Sequence, residues 1–600
     1  MAARQRAASD TLVSDTNKRL PAVERLRPLF PYVRRYQRRF VLGFVCLLAN
    51  NGIWMMFPLV LGMAIDSLTR GATVRTLALY AAALLGIAAG RGVFLYAMRW
   101  ILINISRDIE FDLRNDLFLH LEKQSARFYS TWRIGDLMSR LTNDMAAVRM
   151  MVGPAVMYTA NSLVAFPLAI GWMLYIDWQL TLLVLVPVPV VIIAVKHFSH
   201  IIHVRFERIQ AKMADLTARV QENIAGVRLL RAFTQERPQA AGFDALNRDY
   251  VETNRGLIRV QAMFFPALAA LLTFAFLVVL WFGGRAVLAR EISVGSFVAF
   301  TQYMFLLAWP MIALGWVINL FERGTASLGR LNAMLTAQPD ITDRAALDAP
   351  AEIQGEIELR GLSFRYNGVP VLQDIDLKIP AGSTTAIVGP TGSGKSTLVH
   401  LIGRLWDAPE GAVLVDGRPV TNHRLEALRR AIGYVPQETF LFTTSLRENI
   451  ALGAPEAPEE KIRQAAEIAG LADDIAGFPK GYDTLVGERG ITLSGGQKQR
   501  AAIARAILRD PRILILDDAL SSVDTVTEEK ILRGLAGVMR QRTTILISHR
   551  VSTVRHADQI VVLREGRIVE RGTHNELLAR GGYYSDLYQK QLLEEELERE

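Results

Sequence analysis

A single cysteine occurs in 600 residues. Cys46 lies inside an apolar run, so one chain can form neither a disulfide nor a cysteine-based metal site, and its thiol reads as a small hydrophobe in a helix. Residues 1–23 lack the apolar core of a signal peptide and read as a disordered cytoplasmic tail. Basic runs interleaved with stacking aromatics are also missing, which argues against a nucleic-acid partner. The net charge of +9, from 68 Lys and Arg against 59 Asp and Glu, reads instead as a bias toward the cytoplasmic face of a membrane protein.

Apolar length is what the chain has in excess. Hydrophobic residues make up 51% and the mean hydropathy is +0.21, concentrated before residue 325. A helical span needs about 20 mostly apolar residues, and six stretches qualify: Phe40–Ile65, Leu77–Asn104, Val152–Tyr175, Leu180–His197, Gln261–Phe282 and Phe297–Leu320. The first, third and fifth connections are brief. The second and fourth run for tens of residues, rich in Arg and Lys with few breakers, so the flanking spans are expected to continue as helices well below the bilayer. Arg34, Arg35, Arg38 and Arg39 guard the first span, and Arg107, Arg114, Lys123, Arg127, Arg133 and Arg140 fill the second connection. This bias places the N-terminus and both long connections inside, and an even number of spans returns the rest of the chain to the cytosol.

Smaller signals sit within this half. Glu24–Tyr36 is a short basic amphipathic segment suited to the membrane interface. Phe128–Gly135 (FYSTWRIG) and Asn223–Leu230 (NIAGVRLL) fall near the turning points of the long connections and are expected to form short transverse helices facing the soluble half. Arg91 falls near the middle of the second span, where a charge is costly unless it faces a wet cavity or a partner; Asn50, Asn51 and Asn161 are weaker signals of the same kind.

The soluble half is organised around Gly389-Pro390-Thr391-Gly392-Ser393-Gly394-Lys395-Ser396-Thr397, between an apolar strand, Thr384–Val388, and an expected helix, Ser396–Arg404. Glycines let the backbone curl so that its N–H groups and the start of the next helix converge on one anion. In this pattern the lysine reaches the terminal phosphates and the Ser396 hydroxyl ligates Mg²⁺. Ile513–Asp517 reads as a buried parallel strand delivering a carboxylate to the same metal. Leu493-Ser494-Gly495-Gly496-Gln497 opens a second helix whose free N–H groups form another phosphate site. One nucleotide needs only one such site, so a nucleotide clamped between two copies of the domain, and hence dimerisation, is expected. Alternating segments from Ile353 and a hairpin over Val413–Val420 with an Asp416-Gly417 turn add sheet.

These motifs, with Gln437 in YVPQETFLF, LILDD at 514–518, Asp524 in SSVD and His549 in LISHR, resemble an ABC transporter, and the six spans with two long inner loops resemble an exporter-type half-transporter. The resemblance implies a membrane all-α domain of six transmembrane helices extending into the cytoplasm, followed by an α/β P-loop ABC ATPase domain. The expected boundaries are a tail over 1–23, the membrane domain over 24–325, a linker over 326–352, the nucleotide-binding domain over 353–590 and a charged tail over 591–600.

Carried onto this chain, the resemblance implies that ATP and Mg²⁺ are bound, with Tyr366 stacking on adenine. Gln437 senses metal and attacking water, Ser494, Gly495 and Gln497 bind the partner's γ-phosphate, Asp524 contacts across the dimer, and His549 holds the γ-phosphate. Gly487–Gly490 resembles the segment that meets the transverse helices. One position departs from the pattern: the residue after Asp517, normally Glu, is Asp518. Such sites resemble the degenerate, slow site of heterodimeric exporters, so the expected partner is a different half-transporter chain, with a homodimer as the alternative. The expected cargo is an amphipathic or hydrophobic small molecule, drug or lipid, moved across the inner membrane of a cell. A regulatory ATPase without transport is opposed by the six spans.

Overall fold

The computed structural model describes residues 26–186, 188–343, 352–487 and 493–599. The expected N-terminal tail lies outside these residues, as does the stretch Glu488–Gly490. The chain forms two compact units. One contains residues up to Glu122 and Ile134–Ala337; the other contains Lys123–Arg133 and everything from Gln338 onward.

In the first unit, α1 (Gln37–Thr69) and α2 (Val74–Glu122) are followed, after an excursion into the second unit, by a helical run over Ile134–Ile176 that includes turns of wider winding at Arg140–Asp144 and Met151–Ala155. Then come the helices Trp178–Leu185, Val188–Ala225, Val227–Ala232, Glu236–Leu288 and Val294–Leu335. Among the described residues four helices are by themselves long and apolar enough to cross a membrane: Gln37–Thr69, Val74–Glu122, Ile134–Ile176 and Glu236–Leu288. The fourth expected span falls on the helix Trp178–Leu185 and the start of Val188–Ala225, and the sixth lies within the helix Val294–Leu335.

Helix α2 shows why the apolar half belongs in lipid. At 49 residues and 1.5 Å per residue it is about 74 Å long, more than twice a bilayer core. No residue of its most apolar window is buried, whereas farther down Leu102, Ile105, Ile109, Leu113 and Leu117 recur every three or four positions and are buried. The lower part is thus an amphipathic helix in water and the upper part is a lipid-facing rod. Below the membrane Glu110 accepts from Arg107 and Arg114 and forms an ion pair with Arg149. Asp144 takes Ser327 and Arg330. The basic segment before α1 and the first turn of α1 are held to α2 by polar bonds: Tyr32 donates to Asp116 at 2.8 Å, and Arg35 and Arg39 pair with Asp112 and Asp108 at 2.6 and 2.9 Å. At the other end, Asp66 accepts from the Gly295 amide at 2.6 Å and the Ser293 hydroxyl.

The expected linker from residue 326 is corrected. The helix continues to Leu335 because Ser327, Leu328, Leu331 and Met334 keep helical spacing and are buried. A short helix overlaps each segment where a transverse helix is expected, α3 (Ala126–Thr131) and Val227–Ala232. Helix α3 and its flanks group with the soluble unit, where Ser125 donates to Asp340 at 3.2 Å and Phe128 stacks on Trp132 at 5.4 Å.

The second unit carries two sheets. β1 (Ile357–Tyr366), β2 (Val369–Ile379), β4 (Val413–Val415) and β5 (Arg418–Pro419) form an antiparallel sheet in the order β2-β1-β4-β5; β3 (Thr384–Val388), β6 (Ile432–Val435), β7 (Ile513–Asp517), β8 (Thr543–Ile547), β9 (Gln559–Arg564) and β10 (Arg567–Gly572) form the other, in the order β10-β9-β3-β8-β7-β6. All neighbours in the larger sheet are parallel except β9 and β10. β3, β7 and β8 are almost wholly buried, as parallel strands covered on both faces must be. The hairpin turn at Asp416 does more than turn. Its carboxylate accepts the amides of Gln354, Gly355 and Glu356 at 2.8–2.9 Å. The expected charged tail over 591–600 is corrected too, since a helix runs Tyr583–Arg599 and Gln591 on it is anchored to the loop after β8.

Candidate active site

Ligands of doubly wound sheets sit beyond the carboxyl ends of the parallel strands, and here β3, β7 and β8 deliver their next residues to one place. The loop leaving β3 folds tightly. Gly389 has φ +150 and a Cβ there would lie 2.0 Å from the Leu563 carbonyl; Gly394 has φ +104 and its Cβ would strike Leu372. Both positions therefore require glycine. Helix α4, Lys395–Ile402, begins at the end of this loop.

Lys395 is 7% exposed, and its ammonium donates to the carbonyls of Gly389 and Pro390, both at 2.9 Å. Burial pulls its pKa below the ordinary lysine value, with Asp518 and Asp517 opposing. Its bonds are to neutral acceptors, so phosphate oxygens would be stronger partners. Asp517 ends β7 at 2% exposure; one oxygen accepts from the Ser396 hydroxyl at 3.1 Å and the other from Tyr434 at 3.4 Å. His400 shares a hydrogen bond of 3.0 Å with the same Tyr434 hydroxyl. Burial pushes the Asp517 carboxyl up and the His400 imidazole down, and raises the Tyr434 phenol. Asp518 follows with φ +50, in the left-handed region, and its amide donates to Ile547 at 2.9 Å. The Gln437 amide donates to the Asp518 carboxylate at 3.5 Å.

A cleft of about 230 Å³ opens at this place. Of the residues singled out in the sequence, it brings together Thr391, Gly392, Gly394, Lys395, Ser396, Thr397, Gln437, Asp517, Asp518 and His549. Gly389, Pro390 and Ser393 build the loop without lining the cleft. Tyr366 does not line it either. It ends β1, where its ring meets Trp406 edge-on at 4.7 Å.

The second phosphate motif stands apart. Ser494 caps α5, Gly495–Leu508, with a reciprocal capping box to Gln497, and the Gln497 amide donates to Asp474 at 2.9 Å. Asp524 caps the helix Thr525–Met539 by accepting from Thr527, which holds its carboxyl below the usual range. None of Ser494, Gly495, Gly496, Gln497 and Asp524 lines the cleft. One chain thus supplies the cleft and, elsewhere, a second anion-ready helix start.

Three contributors were missed in the sequence. Tyr434 and His400 orient Asp517, and Gln591 clamps the loop bearing His549, accepting from the Val551 amide at 2.7 Å and donating to the His549 carbonyl at 2.6 Å. The Tyr within the short strand Ile432–Val435 was the only trace of the first.

Comparison with known proteins agrees with this geometry. The family model of the ABC transporter transmembrane region matches residues 40–311, and that described as ABC transporter matches residues 372–521. The multidrug resistance-like ATP-binding protein MdlA of Escherichia coli is 38% identical over 94% of this chain and 96% of its own. The ATP-dependent lipid A-core flippase of Syntrophus aciditrophicus is 36% identical over 97% of both chains. A solved bacterial Atm1-family ABC exporter with ATP bound superposes with a TM-score of 0.77 at 27% identity, over 93% of this chain and 98% of that one. A multi-pass helical membrane domain joined to an ATP-binding domain with this cleft makes the chain a member of the ABC transporter family, of the exporter type.

Proposed function

We propose that the chain is one half of a dimeric exporter that uses ATP to move amphipathic or hydrophobic compounds, drugs or lipids, across the inner cell membrane, with its N-terminus and ATPase domain in the cytoplasm. The observation that carries the reading is the separation of the two phosphate-binding helix starts. A γ-phosphate held by Lys395 and His549 in the cleft lacks the Ser494 helix of its own chain. A second half-transporter supplies that helix, and each chain completes the other's site. ATP contacts both halves only when they close, so it stabilises the closed state selectively. The multidrug and lipid A-core relatives support the cargo class.

The donor set suits Mg²⁺. A serine hydroxyl and a buried carboxylate converge, and a hard cation prefers such oxygen ligands. Ser396 and Asp517 would hold the ion, with Gln437 beside them; bound there it would neutralise charge on the phosphate oxygens. Lys395 then positions the terminal phosphates, His549 holds the γ-phosphate, Tyr366 stacks on adenine and Asp518 orients the attacking water. With Asp in that last place the chain's own site is slow, and the partner is a different chain that carries Glu and uses the Ser494 motif of this one. Purification from the native source with identification of the co-purifying chain tests this. A second half-transporter with Glu at the equivalent place is expected, and recovery of this chain alone would make the assembly a homodimer. Vesicles holding the purified complex should concentrate a labelled amphiphile only with hydrolysable ATP; hydrolysis without movement of any compound would refute export.

A further inference from the structure

We infer that a cavity in the membrane domain binds an amphipathic anion, a phosphate, carboxylate or sulfate group on an apolar body, and that this is the class of cargo carried; the inference rests on the export reading above. The cavity, about 280 Å³, lies inside the first unit between α1, α2 and the helices Ile134–Ile176 and Val294–Leu335. Arg91 and Arg99 line it from one face of α2, and neither an Asp nor a Glu does. The Arg91 guanidinium rests 3.5 Å from the centroid of the Trp54 ring, and its Nε is buried without a hydrogen-bond partner. Among the described residues no carboxylate pairs with Arg91 or Arg99.

A second orphan lies opposite. Asn50 is 5% exposed and its side-chain carbonyl oxygen is buried without a partner, whereas its neighbour Asn51 is satisfied by donating to Asn161 at 3.0 Å. A buried guanidinium Nε–H and a buried amide oxygen left without hydrogen-bond partners at membrane depth each cost free energy that a ligand can recover. A guanidinium recovers most from a planar or tetrahedral oxyanion, which it meets with two parallel N–H bonds. The amide can turn either end toward a headgroup. Met55, Leu95, Met98 and Leu306 supply the apolar wall. Arg99, exposed and eight residues closer to the cytoplasmic end of α2, lies about 12 Å along the helix and draws an anion from that side. Two positive charges in one low-dielectric cavity disfavour a cationic drug of equal size.

The test uses the purified transporter, with any partner chain that accompanies it, in phosphatidylcholine nanodiscs. Octyl phosphate, octyltrimethylammonium and inorganic phosphate are titrated calorimetrically against empty discs. Octyl phosphate should bind at least tenfold more tightly than the ammonium of equal chain length. Arg91→Gln should weaken it at least tenfold, Arg91→Lys less, and Arg99→Gln about threefold. The exposed Arg99 variant serves if Arg91→Gln fails to fold. Equal binding of the two amphiphiles, or octyl phosphate affinity unchanged in the folded variants, would overturn the inference. So would inorganic phosphate competing as well as octyl phosphate, since the apolar body would then count for nothing. Competition by phosphatidic acid in the disc identifies a lipid as the source and its failure identifies a soluble amphiphile; both uphold the shared chemistry. Arg91-dependent binding without ATP-driven movement would refute export and leave this site standing, whereas movement of octyl phosphate at parental rate in Arg91→Gln would refute the site alone.

Discussion

Asp518→Glu probes the reading of the slow site most directly. The Asp518 carboxylate stands at the far limit of hydrogen bonding from Gln437, at 3.5 Å, on a backbone fixed by the Ile547 bond at 2.9 Å and by Ser521, whose hydroxyl donates to the Asp518 carbonyl at 3.0 Å. The main chain therefore cannot advance to make up the reach. One methylene adds roughly 1.5 Å, and misplacing a catalytic group by about 1 Å costs on the order of 10²-fold, or about 2.7 kcal/mol at 1.36 per tenfold. ATP turnover should rise roughly 10- to 100-fold, measured as phosphate release at saturating Mg-ATP in nanodiscs. A compensating loss is expected in stability. At φ +50 Asp is among the residues that tolerate the left-handed region, and Glu forfeits about 1 kcal/mol there, lowering the unfolding temperature slightly. Turnover within twofold of the parent, in a variant that binds ATP normally, would refute the argument that side-chain length limits the rate.

Gln591→Ala removes both bonds to the loop bearing His549, an effect of about 1–3 kcal/mol; kcat should fall by roughly tenfold with little change in ATP affinity, and equal kcat would show the loop to be rigid without its clamp. Tyr434→Phe frees one oxygen of Asp517, so the Mg²⁺ concentration for half-maximal ATPase should rise roughly tenfold, as for other groups that orient a metal ligand, while nucleotide binding without Mg²⁺ stays put. For Lys395 the sign follows from burial, which lowers its pKa in the free site, whereas bound phosphate raises it again. ATP binding therefore takes up a proton at alkaline pH, and affinity should fall as pH rises through the depressed lysine value. Calorimetry in two buffers of different ionisation enthalpy measures that uptake; release of a proton would contradict it.

Much of the ATPase unit was legible because its decisive elements are short and local. Thr384–Val388 and Ile513–Asp517 are continuous apolar runs ending in a glycine loop and a carboxylate, and the structure returns them with the same bounds. What escaped is what depends on distance along the chain. His400 meets Tyr434 across 34 positions, Tyr434 meets Asp517 across 83, and Gln591 meets His549 across 42. No local pattern records such pairs. The two misjudged boundaries share a different cause. Gly324 and Pro339 draw attention as breakers, although Leu328 and Leu331 between them hold the helix in its core. Acidic composition after residue 591 suggested a free tail, although Tyr584, Leu587 and Tyr588 pack that helix against the core and Gln591 bonds the loop bearing His549.

The placement of Lys123–Arg133 has a consequence for how such a chain can be divided or reassembled. The polypeptide passes between its two units at Glu122, at Arg133 and again at Ala337, so a single cut cannot part them cleanly. A soluble fragment starting at Gln338 would be missing a piece of its own compact body, and that piece would remain with the membrane helices. Swapping the ATPase of one such protein for that of another is then a three-point graft, and a chimera joined only at the linker would carry a mismatched insert from the donor of its membrane half.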